Sequence, residues 1–189
     1  MQTETTSAQL DRALLRAGAA QEDVSPALFR QVMGCFATGI TVITTEIDGE
    51  VHGMTANAFM AGSLRPPLCV ISVRNESRLC GMLHRSNVYG VSLLTEQQRH
   101  LSTHFAGQRL AAVAPEFRRC AGVPVLDRAL AVIAADVVDT AACGDHTLFI
   151  GHIARMEAGE GKPLLFSRGR YARIDEDSPI ERIVPPTFW

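Results

Sequence analysis

Two long apolar segments joined by a three-residue turn are the feature that most limits how this chain can fold. The segments read LAVIAADVVDTAA and HTLFIGHIARMEA, and residues 143–145 lie between them. Gly144 and Asp145 are typical of a tight turn, so we predict a hairpin of two long strands. Strand alternation divides the start of the second segment into two faces: His146, Leu148, Ile150 and His152 on one, Thr147, Phe149, Gly151 and Ile153 on the other. Both faces are largely apolar at the centre, which indicates a strand covered on both sides.

Several shorter segments have the same β-rich character. ITVITTEI is followed by Asp48-Gly49, a hairpin signal, and VHGMTANAFM is predicted as the returning strand. LCVISV and VYGVSLL are further strands, and PLLFSRGRYARI predicts a short final hairpin. Because hairpins join most of these strands and few helices separate them, we predict a mainly β protein of the α+β class. An antiparallel barrel is favoured over a doubly wound sheet.

Three helices are predicted in the same stretch of chain. The first begins at Ser25-Pro26, where serine can cap and proline suits the first turn, and continues with helical spacing to Gly39. SRLCGMLHR predicts the second helix and TEQQRHLSTHFAG the third, with residues 108–123 irregular. We expect residues 25–175 to form the domain, with an N-terminal extension of helical spacing at 1–24 and a tail at 176–189.

Composition excludes several classes of function. A formal net charge of -2 provides no basic field for nucleic acid. The five cysteines are odd in number and form no CxxC pair, so neither a disulfide framework nor a zinc ribbon fits. The first residues lack a secretory pattern, and no apolar run of about 18 residues could cross a bilayer. We therefore expect a cytoplasmic protein with reduced thiols that binds neither nucleic acid nor membrane.

Familiar catalytic and metal motifs are missing from the sequence. No GxGxxG follows a strand, no GxSxG is present, and GEGKP lacks the ending of a phosphate loop. HLSTH places two histidines one helical turn apart without the glutamate that a zincin requires, which favours exposed or capping histidines. We predict no metal site, no nucleophile and no acid–base pair.

Two segments rich in small or polar residues are candidates for ligand binding. In GMTANAFMAGSLRPP the lack of side-chain bulk would let the backbone approach a flat ligand; the alternative is simple packing at a crowded corner. In SVRNESR, Arg74 and a helix start at Ser77 suit a phosphate group. The alternative there is that Ser77 only caps the helix and Arg74 is a solvated charge.

Five motifs in order resemble the flavin reductase domain family. They are ATGITVIT, GMTANAF with SLRPPL, NESR, HFAG and CGDHTLFIGHI, and the similarity extends from about residue 28 to residue 174. The resemblance implies a homodimeric, antiparallel, FMN-binding split β-barrel. It also implies that the protein oxidises NADH or NADPH to reduce FMN or FAD, and that the reduced flavin serves a partner monooxygenase by diffusion.

The resemblance also implies a set of cofactor-binding residues. Thr38 and residues 55–59 would contact the flavin ring and ribityl chain, and Phe105 and Ala106 would lie beside the flavin. Four residues would surround the flavin phosphate: Ser72, Arg74, Asn75 and Ser77. His146 would hold the nicotinamide nucleotide, and Tyr171 would line the same cavity. The members of the 55–59 segment are Thr55, Ala56, Asn57, Ala58 and Phe59, and Ala58 stands where relatives often have serine, which removes a hydroxyl contact.

Two questions stay open on the sequence alone. His146 is either a polar residue at a hairpin corner or a group that positions nicotinamide, and the other motifs favour the second interpretation. The activity is either flavin reduction, flavin binding without turnover, or an oxidase reaction of the pyridoxamine-phosphate or haem-degrading kind, since one fold can host all of these. Hydride transfer between two cofactors needs no protein nucleophile, which agrees with the missing motifs.

Overall fold

The computed structural model of the chain describes residues 24–108 and 113–175. It confirms a mainly β protein with a few helices. The expected N-terminal extension, apart from its last residue, and the tail from residue 176 lie outside the described residues. Among the described residues, no helix is long and apolar enough to cross a membrane.

Three α-helices and twelve strands make up the described chain. The helices are α1 (Pro26–Met33), α2 (Arg78–Ser86) and α3 (Arg99–Phe105), and a 3₁₀ turn at Glu96–Gln98 precedes α3. The strands are β1 (Thr38–Gly39), β2 (Thr41–Ile47), β3 (Glu50–Ala56), β4 (Phe59–Leu64), β5 (Pro67–Arg74), β6 (Val88–Leu93), β7 (Phe117–Cys120), β8 (Val123–Leu126), β9 (Ala131–Cys143), β10 (His146–Ala158), β11 (Leu165–Ser167) and β12 (Arg170–Ala172).

Seven strands form the main sheet, in the order β3-β2-β6-β9-β10-β5-β4. Each neighbouring pair is antiparallel. Within the described chain β3 and β4 are the two edges, and no strand pair closes the sheet between them. The main core lies under this sheet and contains Ile43, Ile71, Tyr89 and Phe149, with Leu83 of α2 packed among them.

The long predicted hairpin is confirmed as β9 and β10, with His146 opposite Cys143 at the turn. Phe149 and Gly151 are buried towards the core, while Leu148 and Ile150 on the other face are half-buried. The strand is therefore shielded on both sides along its apolar centre, as the alternation predicts. Its other edge pairs with β5, which places the start of β10 beside the end of β5.

Local turn and cap signals are also confirmed. Asp48 and Gly49 both have positive φ, 55° and 80°, as the two central residues of a type I′ hairpin require. Ser77 caps α2, because its Oγ accepts the Cys80 N–H at 3.1 Å. Ser25 caps α1 in the same way through the Leu28 N–H.

Three element boundaries differ from the predictions. The first helix ends at Met33 rather than near Gly39, because Gly34 caps it through the Arg30 carbonyl. VHGMTANAFM is not one strand: it ends at Ala56, and β4 begins at Phe59 after a short turn. Residues 117–120, expected to be irregular, form β7, because they pair with β8 although FRRC carries no strand alternation.

The described chain divides into two compact units, one of which contains residues 24–37 and 167–169. In this unit the Gly34 carbonyl accepts the Arg168 N–H at 2.6 Å and the Ser167 hydroxyl at 3.4 Å. No residue of α1 is buried, and apolar side chains such as Phe29 and Val32 are more than half exposed. The helical spacing of these residues is confirmed, but it marks an exposed apolar face.

The second unit contains the main sheet, α2, α3 and a smaller core. Ile40, Val42, Leu94, Leu101 and Leu126 form this smaller core, and Phe105, Phe166 and Tyr171 pack against it. It combines Val42 of β2 with Leu101 of α3, and residues of several other elements lie at its rim. A candidate site is found at this rim.

Candidate functional site

A cavity of about 190 Å³ opens at the rim of the smaller core. Five of the predicted cofactor-binding residues line it, and three further residues complete the lining. The predicted ones are Thr55, Ala56, Asn57, Ala106 and Tyr171, and the others are Ile40, Ser102 and Phe166. The end of β3, the end of α3 and the final hairpin therefore meet at one place. Tyr171, expected to share a cavity with His146, lies here with residues expected around the flavin, and His146 is not among the lining residues.

Hydrogen bonds fix one wall of this cavity. The Thr55 hydroxyl donates to the Ser102 carbonyl at 2.7 Å, and the Tyr171 hydroxyl donates to Ser102 Oγ at 3.0 Å. Ser102 is buried, so both bonds lie away from bulk water, where a broken bond is costly. The wall is thus held in one arrangement from three different elements. The guanidinium of Arg99 covers the outer face of the Tyr171 ring, 4.7 Å from its centroid.

A glycine allows α3 to pack closely on β3 next to the cavity. A Cβ atom at Gly53 would lie 2.7 Å from Cε1 of Phe105, closer than carbon atoms approach. The first glycine of GMTANAF is therefore required by the ring of Phe105. Phe105 itself packs against the smaller core beside the cavity.

Thr38 lies next to the cavity through strand pairing. It is opposite Phe166, which lines the cavity. Its Oγ1 is buried and has no hydrogen-bond partner among the described residues. A buried hydroxyl without a partner costs free energy, so a ligand with a polar edge would stabilise it. This observation fits a flavin ring, whose edge carries donors and acceptors.

A second group of predicted residues lies where β5 ends and β10 begins. Arg74 is opposite His146 in the strand pairing, and Ser77 follows at the start of α2. The Ser77 hydroxyl also donates to the Arg74 carbonyl at 2.8 Å, which closes the turn before the helix. Arg74 is exposed, and its guanidinium forms no ion pair within the described part of the chain. An unpaired arginine beside a helix N-terminus is suited to an anion.

His146 is oriented by its neighbour in the turn. Its Nδ1 lies 2.7 Å from Asp145 Oδ1, and its side chain is 37% exposed. The hydrogen bond and charge of His146, with a smaller contribution from Arg74, hold the pKa of Asp145 below its usual value. The carboxylate thus stays ionised and keeps one imidazole nitrogen engaged, which directs the other nitrogen away from Asp145.

Asn75 bonds to this turn on both sides of His146. Its backbone N–H donates to the Asp145 carbonyl at 3.0 Å, and its Nδ2 donates to the Gly144 carbonyl at 3.3 Å. Its Oδ1 accepts the Thr147 hydroxyl at 2.8 Å. The side-chain amide therefore uses a donor and an acceptor within the chain.

The turn between β3 and β4 connects the two groups. Asn57 lines the cavity, and the carbonyl of Ala58 accepts the Ser72 N–H at 3.1 Å. Phe59 pairs with Ile71 and packs against the main core. Consequently the 55–59 segment runs from the cavity to β5, the strand that ends at Arg74.

Sequence reasoning missed three residues of the cavity lining. Ser102 could have been found, because it lies three and four residues before Phe105 and Ala106 on one helix face. Ile40 could have been found from the ATGITVIT motif, two residues after Thr38. Phe166 carries no local signal, since pairing with Thr38 brings it to the cavity.

Comparisons with known proteins identify the family. Residues 33–175 match the family model of the flavin reductase like domain. A protein named NADH-dependent flavin reductase from Rhodococcus sp is 36% identical over 162 residues, which cover 84% of this chain and 92% of that protein.

Two solved structures are similar along most of their length. Flavin reductase PheA2 is 44% identical, with a TM-score of 0.79 and coverage of 81% of this chain and 100% of that one. The styrene monooxygenase flavin reductase SMOB from Pseudomonas putida S12 is 38% identical, with a TM-score of 0.75 and coverage of 80% and 99%. With a family match over most of its length and relatives this similar, the chain belongs to the flavin reductase family of oxidoreductases.

Proposed function

We propose that this protein uses NADH or NADPH to reduce FMN or FAD, and that the reduced flavin leaves to serve a partner monooxygenase. The observation that carries the proposal is the cavity, where residues from GMTANAF, HFAG and the final hairpin meet. Relatives named for NADH-dependent flavin reduction and for styrene monooxygenase support the reaction and the partner class.

The size of the cavity suits one part of a flavin. Ligand pockets are typically about 300–1,000 Å³, so a cavity of about 190 Å³ would hold a ring while the remainder lies along the open surface. The small side chain of Ala106 leaves room for a flat group, and Thr38 offers its unpaired hydroxyl. The 57–59 turn leads from this cavity to Arg74 and Ser77, where the phosphate would be bound.

Bound flavin would supply the hydride acceptor for the nicotinamide. The protein's own contribution is to position two rings and to exclude water between them, which can supply several kcal/mol of barrier lowering. Ser102, Thr55 and Tyr171 fix the cavity wall. His146, oriented by Asp145, is proposed to hold the nicotinamide nucleotide by hydrogen bonding rather than to transfer a proton.

We further propose that two copies form a homodimer on the split-barrel plan of the family. The apolar face of α1 is exposed in a single chain, and a second copy of the chain would cover it. Light scattering during size-exclusion chromatography should give twice the mass of one chain. A monomeric mass at micromolar concentration would contradict the dimer but would not bear on the proposed flavin reduction.

The reaction is tested with purified protein and all four pairings of FMN or FAD with NADH or NADPH. We expect nicotinamide absorbance to fall only when flavin is added, with one pairing favoured by steady-state rate. Ala106→Leu should lower flavin affinity at least about ten-fold, measured by flavin fluorescence, because Ala106 lines the cavity and a larger side chain there would crowd the bound ring.

The matched control is Ala158→Leu, an exposed position at the far end of β10. It should leave flavin affinity and turnover unchanged. Flavin binding without nicotinamide consumption in any pairing would indicate a binding protein without turnover. Equal flavin affinity in wild type and Ala106→Leu would show that the cavity is not part of the flavin site.

A further inference from the structure

Asn75 ties the end of one strand to the turn that carries His146. We infer that Asn75 is a positioning residue: its contacts hold residues 144–147, and thereby set where His146 presents its free nitrogen to the nicotinamide nucleotide. This inference rests on the proposed function, since it concerns the same site. It assigns the Asn75 side chain to the turn rather than to the flavin phosphate.

Asn75 forms hydrogen bonds to residues immediately before and after His146. The side chain bonds to Gly144 on one side and to Thr147 on the other, while the backbone N–H bonds to Asp145. Within the described residues, no other side chain outside the turn is hydrogen-bonded to residues 144–147. Beyond the β5–β10 pairing, the side chain of Asn75 is therefore what holds the turn to the end of β5.

The position of Asn75 explains why one side chain has this effect. The pairing of β5 with β10 ends at Arg74 and His146, so no further ladder bonds fix the chain beyond that pair. Gly144 has a φ of 62°, a conformation that glycine adopts readily, and its carbonyl points to the Asn75 amide. Without the amide, the exposed turn would sample more orientations, and fewer of them would place His146 correctly.

The two assignments of Asn75 predict weaker binding of different ligands. If the side chain holds the turn, Asn75→Ala should raise the KM for the nicotinamide nucleotide and leave flavin affinity nearly unchanged. If the side chain binds phosphate, the same change should weaken FMN more than riboflavin, because riboflavin lacks the phosphate. The flavin dissociation constant is measured on protein without nicotinamide, and so does not depend on turnover.

We expect Asn75→Ala to raise the KM for NADH five- to ten-fold, with kcat at saturation within two-fold of wild type. The lost population of the correct orientation lowers apparent affinity and leaves the bound complex intact. Thr147→Val removes only the bond to Oδ1 and should raise the same KM by a smaller factor. The double variant should be no worse than Asn75→Ala alone, because Thr147 acts through Asn75.

The control is Glu76→Ala, a change of the exposed neighbour of Asn75. It should leave the KM for NADH within two-fold of wild type and hydrogen exchange of the turn unchanged. A second readout uses no ligand at all: hydrogen exchange of the peptide that contains residues 143–148 should be faster in Asn75→Ala and, more weakly, in Thr147→Val.

The outcomes separate the two proposals. An unchanged KM for NADH together with weaker FMN binding in Asn75→Ala would overturn the positioning role and assign the side chain to the phosphate. Unchanged hydrogen exchange of the turn in both variants would overturn it as well. If wild-type protein consumed no nicotinamide, the proposed function would fail, whereas faster exchange in Asn75→Ala would still show that Asn75 holds the turn.

Discussion

The packing of Tyr89 against Gly151 gives a stability prediction that can be worked out from distances. The two residues meet in the main core under β10, where Tyr89 is fully buried and its hydroxyl donates to the Cys69 carbonyl at 3.2 Å. A Cβ atom at Gly151 would lie 2.3 Å from the Tyr89 hydroxyl and 2.7 Å from its Cζ. Gly151→Ala therefore forces the ring to move.

Three contributions set the magnitude. Overpacking of a core costs about 1–3 kcal/mol. Displacing the ring breaks the bond to Cys69, which adds about 0.5–1.5 kcal/mol. Alanine gives the unfolded chain less conformational entropy than glycine does, which offsets about 0.4–1 kcal/mol of this loss. We expect a net loss of about 2–3 kcal/mol, which for a chain of this length lowers the Tm by about 4–12 °C.

Urea and thermal unfolding of five proteins test this reasoning: wild type, Gly151→Ala, Tyr89→Phe, the double variant and Gly81→Ala. Tyr89→Phe removes the atom nearest to the added Cβ but keeps the ring. In this background, Gly151→Ala should therefore destabilise the protein by about 1 kcal/mol less than it does in wild type. Gly81→Ala is the control: Gly81 lies in α2 with no atom within 4 Å of an added Cβ, and the change should stabilise by about 0.5–1 kcal/mol. A Gly151→Ala protein as stable as wild type would refute the packing argument.

Three further predictions concern the site and the surface. His146→Ala should raise the KM for the nicotinamide nucleotide several-fold at nearly constant flavin affinity; an unchanged KM would exclude His146 from the site. Arg74→Gln should weaken FMN while leaving riboflavin binding unchanged, and equal loss for both would argue against a phosphate contact. Hydrogen bonds from Arg155 and Arg118 lower the pKa of Glu157, so its stabilising effect is present above its ordinary pKa of 4.5 and is lost as pH falls through the lowered value. Glu157→Gln should thus be less stable than wild type in urea at neutral pH, and the difference should vanish in acid; a constant difference would contradict the ion pairing.

Features set by nearest neighbours were predictable from the sequence. The β9–β10 hairpin follows from Gly144 in a left-handed conformation between two alternating segments. The start of α2 follows from Ser77, whose hydroxyl caps the helix as its sequence context indicates. Thr55 and Ala106 were expected beside the flavin from the GMTANAF and HFAG motifs, and both line the cavity.

Features set by distant partners were not predictable in this way. The break between β3 and β4 has no glycine or proline to mark it; it arises where Ala58 bonds to Ser72 on another strand. β7 exists because β8 lies beside it. Phe166 reaches the cavity through pairing with Thr38, near the other end of the described chain. Each depends on tertiary contacts that override local preference.

The strand order also determines when the site can exist during synthesis. Asn75 and Thr147, which join the two halves of the strand-end group, are 72 residues apart. As the chain emerges, β5 can pair with β4 at once, but its other edge stays open until β10 has been made. An unpaired edge of this kind invites association with other chains. The nicotinamide side of the site should therefore form only after β10 has been made, and the flavin cavity only after Phe166 and Tyr171 have followed. A nascent chain that ends before residue 146 should bind flavin poorly and aggregate readily.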